Sequence, residues 1–262
     1  MRVHLVSDVH GNFEALARAG EGADALLILG DLLDYVDYRH HDQGILGALF
    51  GREKVSVFAK IRREGSLQDL SNYSDELWSE LADPAAAVLE VVHTQYKRAF
   101  DAINSPTYLI PGNVDIPDFW SDFRSDHVQF SDGKVIDLNG VRFGFVGGGL
   151  LDKGAVLDLA SPWVPHLRDQ ADFAASVSSL GPVDVLCSHV PPAFAELTYD
   201  TVARRMEAGS PALRDFIVEH QPKWSFFGHV HQPLSSRLRV GKTECHNVGF
   251  FKKTEQAHVL MI

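Results

Sequence analysis

Short apolar runs alternate with amphipathic stretches from the first residues onward. Residues 3–7, 25–29, 108–111, 183–187 and 224–227 form runs of strand length. Mainly apolar runs of such lengths, each ending at a polar fragment, read as strands. After Gly11-Asn12, residues 13–20 repeat their apolar positions at helical spacing, so the chain opens as a βαβ unit.

The pattern changes after Asp31. Between Tyr35 and Ala102 nothing reads as a strand, and helices are predicted at 45–50, 55–63, 74–81 and 84–103. The last has Asp83 as N-cap, Pro84 at the first helical position, and Val88, Leu89, Val92, Tyr96, Ala99 and Ile103 at helical spacing. About 80 residues separate Asp31 from Asn113, where a simple βαβ unit takes about 30. The surplus reads as a helical, lid-like insertion, approximately 36–104, within a single domain spanning 1–262.

From Thr107 the α/β alternation resumes, with a short helix at 117–123 and strands at 135–138 and 141–146 around an Asn139-Gly140 hairpin turn. Helices are predicted at 164–180 and 211–220, and strands at 236–240, 243–248 and 257–262, with Gly241-Lys242 as a turn. These last strands are expected to supply a second sheet. The fold class is therefore α/β, two packed sheets with helices outside.

Of 262 residues, 45% are hydrophobic, enough for a substantial core. Lys plus Arg number 24 against 35 Asp plus Glu, a formal charge of -11, which disfavours long nucleic acid as a partner. Cys187 and Cys245 lack CxxC spacing and read as buried, inert thiols of a reducing compartment. No charged leader with a long apolar region opens the chain, and no span approaches the ~20 apolar residues that cross a bilayer. A cytoplasmic protein without a membrane partner is expected; the oligomeric state is left open.

Candidate chemistry sits where the apolar runs end: Asp8-Val9-His10, Gly30-Asp31, Gly112-Asn113, Ser188-His189 and Gly228-His229-Val230-His231. Strand tips of an open α/β sheet face one crevice, so groups distant in sequence can meet there. A lone DxH or HxH is ordinary polarity; the ordered set is not. Carboxylate, imidazole and amide donors without thiolates suit Mn, Fe, Co, Ni or Zn better than Ca. A carboxylate such as Asp31 can bridge two ions, and two ions ~3.5–4 Å apart can hold a hydroxide in line with a phosphorus atom. Hydrolysis of a phosphate ester is the matching reaction. Serine hydrolase chemistry finds no GxSxG elbow, and Gly147-Gly148-Gly149 lacks the remainder of a P-loop, so close backbone approach is the better reading of that run.

These fragments resemble the calcineurin-like metallophosphoesterase superfamily, whose pattern is DxH, GDxxD, GNH[DE], a later GH or SH, and GHxH. The resemblance spans Asp8 to His231. It implies a four-layer αββα sandwich of two mixed sheets and two divalent ions, Mn or Fe foremost, with Zn, Ni and Co also compatible. Asp8, His10, Asp31 and His231 would hold one ion, and Asp31, Asn113, His189 and His229 the other. Asp31 and Asn113 would be the catalytic members. Asp34 matches the family's second aspartate and would support the site; Asn12 is a support or a phosphate contact. The implied activity is that of a phosphodiesterase on small-molecule or nucleotide substrates. The alternatives are a phosphomonoesterase, a nuclease, or a catalytically weak scaffold that binds a protein through the insertion.

The departure from the pattern is Gly112-Asn113-Val114-Asp115, with valine where the family has histidine. Small bacterial and archaeal phosphodiesterases resembling this chain carry Gly-Asn-Cys-Asp there, so activity need not be lost. The substitution favours diesters or esters with good leaving groups. Asp115 either assumes part of the missing role or caps the helix near Pro117. Tyr35, Asp37, Tyr38, Arg39, His40 and His41 open the insertion beside the site, as substrate contacts or as a solvated loop. Lys60, Arg62 and Arg63 read as cations favoured at a helix C-terminus.

Overall fold

The computed structural model describes residues 1–123, 125–152 and 154–262. Along the chain, β1 (Arg2–Val6), α1 (Phe13–Ala19) and β2 (Ala25–Leu29) precede the helices α2 (Gly44–Glu64), α3 (Leu67–Ser79) and α4 (Pro84–Ala102). Next come β3 (Thr107–Ile110), a 3-10 helix (Pro117–Phe123), β4 (Val128–Phe130), β5 (Val135–Leu138), β6 (Val141–Val146), and the short pair β7 (Gly149–Leu150) and β8 (Leu167–Arg168). After α5 (Gln170–Ser179) and β9 (Val185–Ser188), α6 (Ala195–Thr198) leads to β10 (Tyr199–Asp200) and β11 (Arg205–Met206). The chain ends with α7 (Pro211–His220), β12 (Trp224–Phe227), β13 (Arg237–Val240), β14 (Thr243–Asn247), α8 (Phe251–Thr254) and β15 (His258–Met261).

The first sheet has the order β15-β1-β2-β3-β4 and the second β13-β14-β12-β9-β6-β5. Strand periodicity explains the layering. Leu27 and Leu29 of β2 join Val3, Leu5, Phe143, Phe145, Val185 and Phe226 in a core between the sheets. Leu26 and Ile28, pointing the other way, pack with Leu16, Val92, Tyr96 and Phe100 of the helices over the first sheet. Leu186 and Phe227 face Phe173, Val177, Phe216 and Ile217 of α5 and α7 over the second. Alternate residues of a strand thus enter different cores, the layering of an αββα sandwich.

Differences from the sequence reading have local causes. The stretches 45–50 and 55–63 form one segment, α2, broken at Gly51, whose φ of 75° is non-helical. Helix α3 begins earlier than 74 because Ser66 and Asp69 make a reciprocal capping box. Asp83 caps α4 as expected, accepting from the Ala86 N–H. The expected helix 164–180 starts only at Gln170, capped by Asp169, and is preceded by β8. Asn139 and Gly140 have φ of 57° and 81°, a type I′ geometry between β5 and β6. Strand β15 belongs not to the second sheet but to the edge of the first, antiparallel to β1. Strands β4, β7, β8, β10 and β11 are too short to leave a pattern.

Candidate metal centre

The parallel pairing of β1 with β2 continues past the strands, where the Asp8, His10 and Gly11 N–H groups donate to the carbonyls of Gly30, Asp31 and Leu32. This keeps two loops in register as they leave the sheet. At the turn the backbone is left-handed at Asp8 (φ 59°), His10 (40°), Asp31 (57°) and, from the second sheet, His229 (68°). Such φ values are costly for residues with a Cβ and gather at functional sites. They also resolve how Asp8 and His10, two apart, reach the same side. Two glycines allow the carboxylates to sit close: a Cβ on Gly112 would lie 2.0 Å from Asp31 Oδ1, and one on Gly228 would lie 2.3 Å from Asp8 Oδ2.

The donor groups named from sequence converge. His10 Nε2 lies 3.1 Å from His231 Nε2, 3.6 Å from Asp31 Oδ2 and 4.0 Å from Asp8 Oδ1. His231 Nε2 is 3.5 Å from Asp8 Oδ1. On the other side, His189 Nε2 is 3.4 Å from Asp31 Oδ2 and 3.0 Å from Asn113 Oδ1, which His229 Nδ1 approaches to 2.8 Å. Donor atoms of Asp8, His10 and His231, and of Asp8, Asp31 and His189, lie within 4.8 Å of one another. Asp31 touches both sides, and Asp8 reaches further across than expected.

The chemistry of this set calls for cations. His10 and His189 must donate from Nδ1, because their partners are the Leu33 and Leu29 carbonyls at 3.0 and 2.9 Å. In their neutral form these rings therefore carry the lone pair on Nε2, facing the His231 nitrogen and the Asn113 oxygen, a tautomer lock common to metal-binding imidazoles. Lone pairs at such separations repel unless a proton or a metal ion stands between them. Burial works against charge on every member. At Asp31 it is outweighed by His189, which holds the carboxyl well below its ordinary range. Burial would lower His189, yet Asp31 raises it to about 9, while burial and His189 push His229 down to about 4.

Supporting residues divide differently from the sequence reading. Asp115 neither caps the following helix nor faces the cavity. It is fully buried, and its carboxylate accepts from the N–H groups of Asp31 and Gly112, both at 2.8 Å, and of Leu32 and Leu33 at 3.0 and 3.2 Å. Burial and nearby Asp31 push it up to about 6. The Val114 N–H donates to Asp31 Oδ1 at 3.0 Å, while its side chain packs on the helical core. Asn12 supports the loop: its oxygen caps α1 at the Ala15 N–H, and its amide donates to the Lys252 carbonyl and Glu255, while the residue also stands on the cavity lining. Asp34 pairs with Lys252 at 2.8 Å.

Several contributors escaped sequence reasoning. Gln95 clamps both the N–H and the carbonyl of Asp34 from α4. Asn247 donates to the carbonyls of Gly228 and Val230, and Phe250 stacks on His231 with ring centroids 3.9 Å apart. None of them stands in a motif; only the fold brings them near. As expected, the glycine run is a close approach, a Cβ on Gly149 falling 2.7 Å from that of Asn113. The site opens into a cavity of about 1820 Å³ whose lining includes His10, Asp31, Asn113, His229 and His231 and also Tyr35, Tyr38, Arg39, His40, His41 and Arg62 from the insertion.

The sequence matches the calcineurin-like phosphoesterase family over residues 1–233. Comparison with the curated proteins finds no match. Among solved structures, the TT1561 protein of Thermus thermophilus aligns with a TM-score of 0.54 at 14% identity, covering 98% of this chain and 97% of that one. The AQ665 protein of Aquifex aeolicus, described as of unknown function, aligns with a TM-score of 0.40 at 13% identity, over 98% and 95% of the two chains. The first likeness supports the sandwich fold. No helix among the described residues is long and apolar enough to cross a membrane.

Proposed function

The chain belongs to the calcineurin-like phosphoesterase family, and from that membership we propose that it is a dinuclear metal-dependent hydrolase acting on phosphate diesters of small molecules, nucleotides included. The observation that carries this reading is the meeting of Asp8, His10, Asp31, Asn113, His189, His229 and His231 from both sheets. Asp8, His10, Asp31 and His231 would hold one ion and Asp31, Asn113, His189 and His229 the other. Mn and Fe suit these oxygen and nitrogen donors, and Zn, Co and Ni remain compatible. When bound, such ions activate water and stabilise charge on phosphoryl oxygens.

The chain's own residues supply the frame. Asp31 is oriented by the Val114 N–H, Asp8 by the His229 N–H at 3.1 Å from both oxygens, and His231 by Phe250. Water is the co-reactant: its oxygen bonds to phosphorus, the ester P–O bond breaks, and a proton passes to the departing oxygen or to solvent. Val114 cannot deliver that proton, which favours esters whose leaving group departs as an anion.

The test begins with metal analysis of purified protein, where about two transition ions per chain are expected for such a centre. Stripped protein then receives Mn²⁺ and bis-p-nitrophenyl phosphate. Wild type should turn over, and Asp31→Ala and His231→Ala should lose about a hundredfold or more in kcat/KM. Equal rates in all three would sink the proposal. Protein that neither retains ions nor turns over any diester would instead be a scaffold.

A further inference from the structure

The helical insertion is fastened where it leaves β2. The Asp34 carbonyl accepts from the Ile45 N–H at 2.8 Å and the Tyr35 carbonyl from that of Leu46 at 3.0 Å, which ties the first turn of α2 to this root. From α4, the Gln95 side chain accepts from the Asp34 N–H at 2.8 Å and donates to its carbonyl at 3.1 Å. Two helices of the insertion thus hold to Asp34, three residues past the bridging donor Asp31. Asp37 orders the loop that follows, its Oδ1 accepting from the Arg39 and His40 N–H groups at 2.7 and 2.8 Å.

One ammonium group from the far end of the chain meets both acids. Lys252 Nζ donates to Asp34 Oδ2 at 2.8 Å and lies 2.7 Å from Asp37 Oδ2. Asp37 Oδ2 is buried and has no hydrogen-bond partner among the described residues, so the nearby ammonium is what compensates it. The three side chains are withdrawn from water, at 21% exposure for Lys252, 8% for Asp34 and 3% for Asp37, and charges so placed are screened little. The backbone of the same segment is fixed to the donor loop. The Phe251 and Lys252 N–H groups donate to the Ser7 and Asp8 carbonyls, both at 3.0 Å, and the Asn12 amide donates to the Lys252 carbonyl at 3.0 Å. Lys252 therefore joins the Asp8 loop, the root at Asp34 and the loop at Asp37. Two carboxylates already engage its charge, which makes it a poor phosphate contact in its own right.

We propose that Lys252 is a positioning residue: by bridging Asp34 and Asp37 it fixes the root of the insertion against the metal-donor loop and so sets how the insertion sits over the substrate. Its effect on turnover rests on the phosphoesterase reading; the mechanical tie does not.

The test compares Mn²⁺-loaded full chain with Lys252→Met, Lys252→Arg, Asp37→Asn and the double variant Lys252→Met/Asp37→Asn, by hydrogen exchange and by turnover of thymidine 5′-(p-nitrophenyl phosphate). In Lys252→Met the Ile45 and Leu46 amides should lose about tenfold or more in protection, with α5 and α7 unchanged. Asp37→Asn, which keeps an oxygen for the Arg39 and His40 N–H groups but not the charge, cuts the same bridge more gently and should show the same local loss. Unchanged protection at these amides, or an equal loss through α5 and α7, overturns the tie, the second by making Lys252 a general stabiliser. The backbone bond to Asp8 survives every substitution, so metal content should match wild type. KM should rise about tenfold in Lys252→Met with kcat within about twofold. Lys252→Arg, whose fork keeps the charge and can reach both acids, should recover most of that loss. The double variant should be no worse than Lys252→Met, since both substitutions cut one bridge. A fall in kcat with KM unmoved, or additive effects of the two substitutions, overturns the positioning role. Lys97→Met, which cuts an exposed ion pair with Asp101 on α4, should move neither reading. If wild type hydrolyses no diester, the phosphoesterase reading fails by itself, and the exchange comparison still decides the tie.

Discussion

Position 114 separates what a side chain contributes from what the backbone contributes. The Val114 N–H holds Asp31 Oδ1, a service any residue but proline provides, while the side chain packs on the core and offers no proton. Val114→His should therefore leave the hold on Asp31 intact and add a proton donor at the cavity. General acid catalysis is commonly worth about 10²–10⁴-fold. The variant is expected to raise kcat on an alkyl phosphodiester by at least about tenfold while changing the p-nitrophenyl diester little; an equal effect on both would remove leaving-group protonation as the reason. Gly112→Ala probes the opposite case. Its Cβ would lie 2.0 Å from Asp31 Oδ1 and 2.4 Å from the Asp31 nitrogen, neither free to retreat. A loss of about 1–3 kcal/mol in urea unfolding, with a larger loss of metal retention, is expected. The donor residues themselves were legible because their types and order carry the chemistry. The left-handed backbone at Asp8, His10, Asp31 and His229 was not, since none is a glycine.

Elements were legible where their periodicity ran long enough. Helix α4 follows from Asp83, Pro84 and its apolar face, and Asp83→Ala should cost about 1 kcal/mol in a urea melt through loss of the cap at the Ala86 N–H. Strand β15 shows the limit. Its pattern identifies a strand but not its sheet, because pairing with β1 is a matter of topology. From that edge its His258 ring crosses to the second sheet, 5.1 Å from Phe226 and 5.2 Å from His246 between centroids. Burial, then His246 and Arg237, lower its pKa from 6.5 to about 4. The unfolded chain therefore binds this proton first. The contribution of neutral His258 is fully present above 6.5 and is lost as pH falls from there through about 4. His258→Gln should flatten that part of the pH dependence of unfolding, measured by urea melts of both proteins at each pH; parallel curves for variant and wild type would exclude the histidine as the source.

At the scale of the whole molecule, the candidate metal centre lies where two separately ordered sheets meet. Asp8, Asp31 and Asn113 follow strands of the first sheet, whereas His189, His229 and His231 follow strands of the second. Besides the apolar core between the sheets, direct links at this end include the His229 N–H to Asp8, His189 Nδ1 to the Leu29 carbonyl, the Asn113 oxygen between His189 and His229, and His10 against His231. An ion held by donors from both sheets is a cross-link that exists only in the folded state. Binding to the folded form alone stabilises it by about 2.7 kcal/mol at a hundredfold excess over the dissociation constant. Chelation should accordingly lower the thermal midpoint, and adding Mn²⁺ back should restore it in wild type but only partly in Asp31→Ala, which removes the side chain touching both donor groups. Hydrogen exchange locates the effect. Amides after β1, β2, β9 and β12 should lose protection together on metal removal, while α5 and α7, which pack on the far face of the second sheet, should change little. Loss of protection confined to one sheet would mean that the ions do not join the two halves of the sandwich.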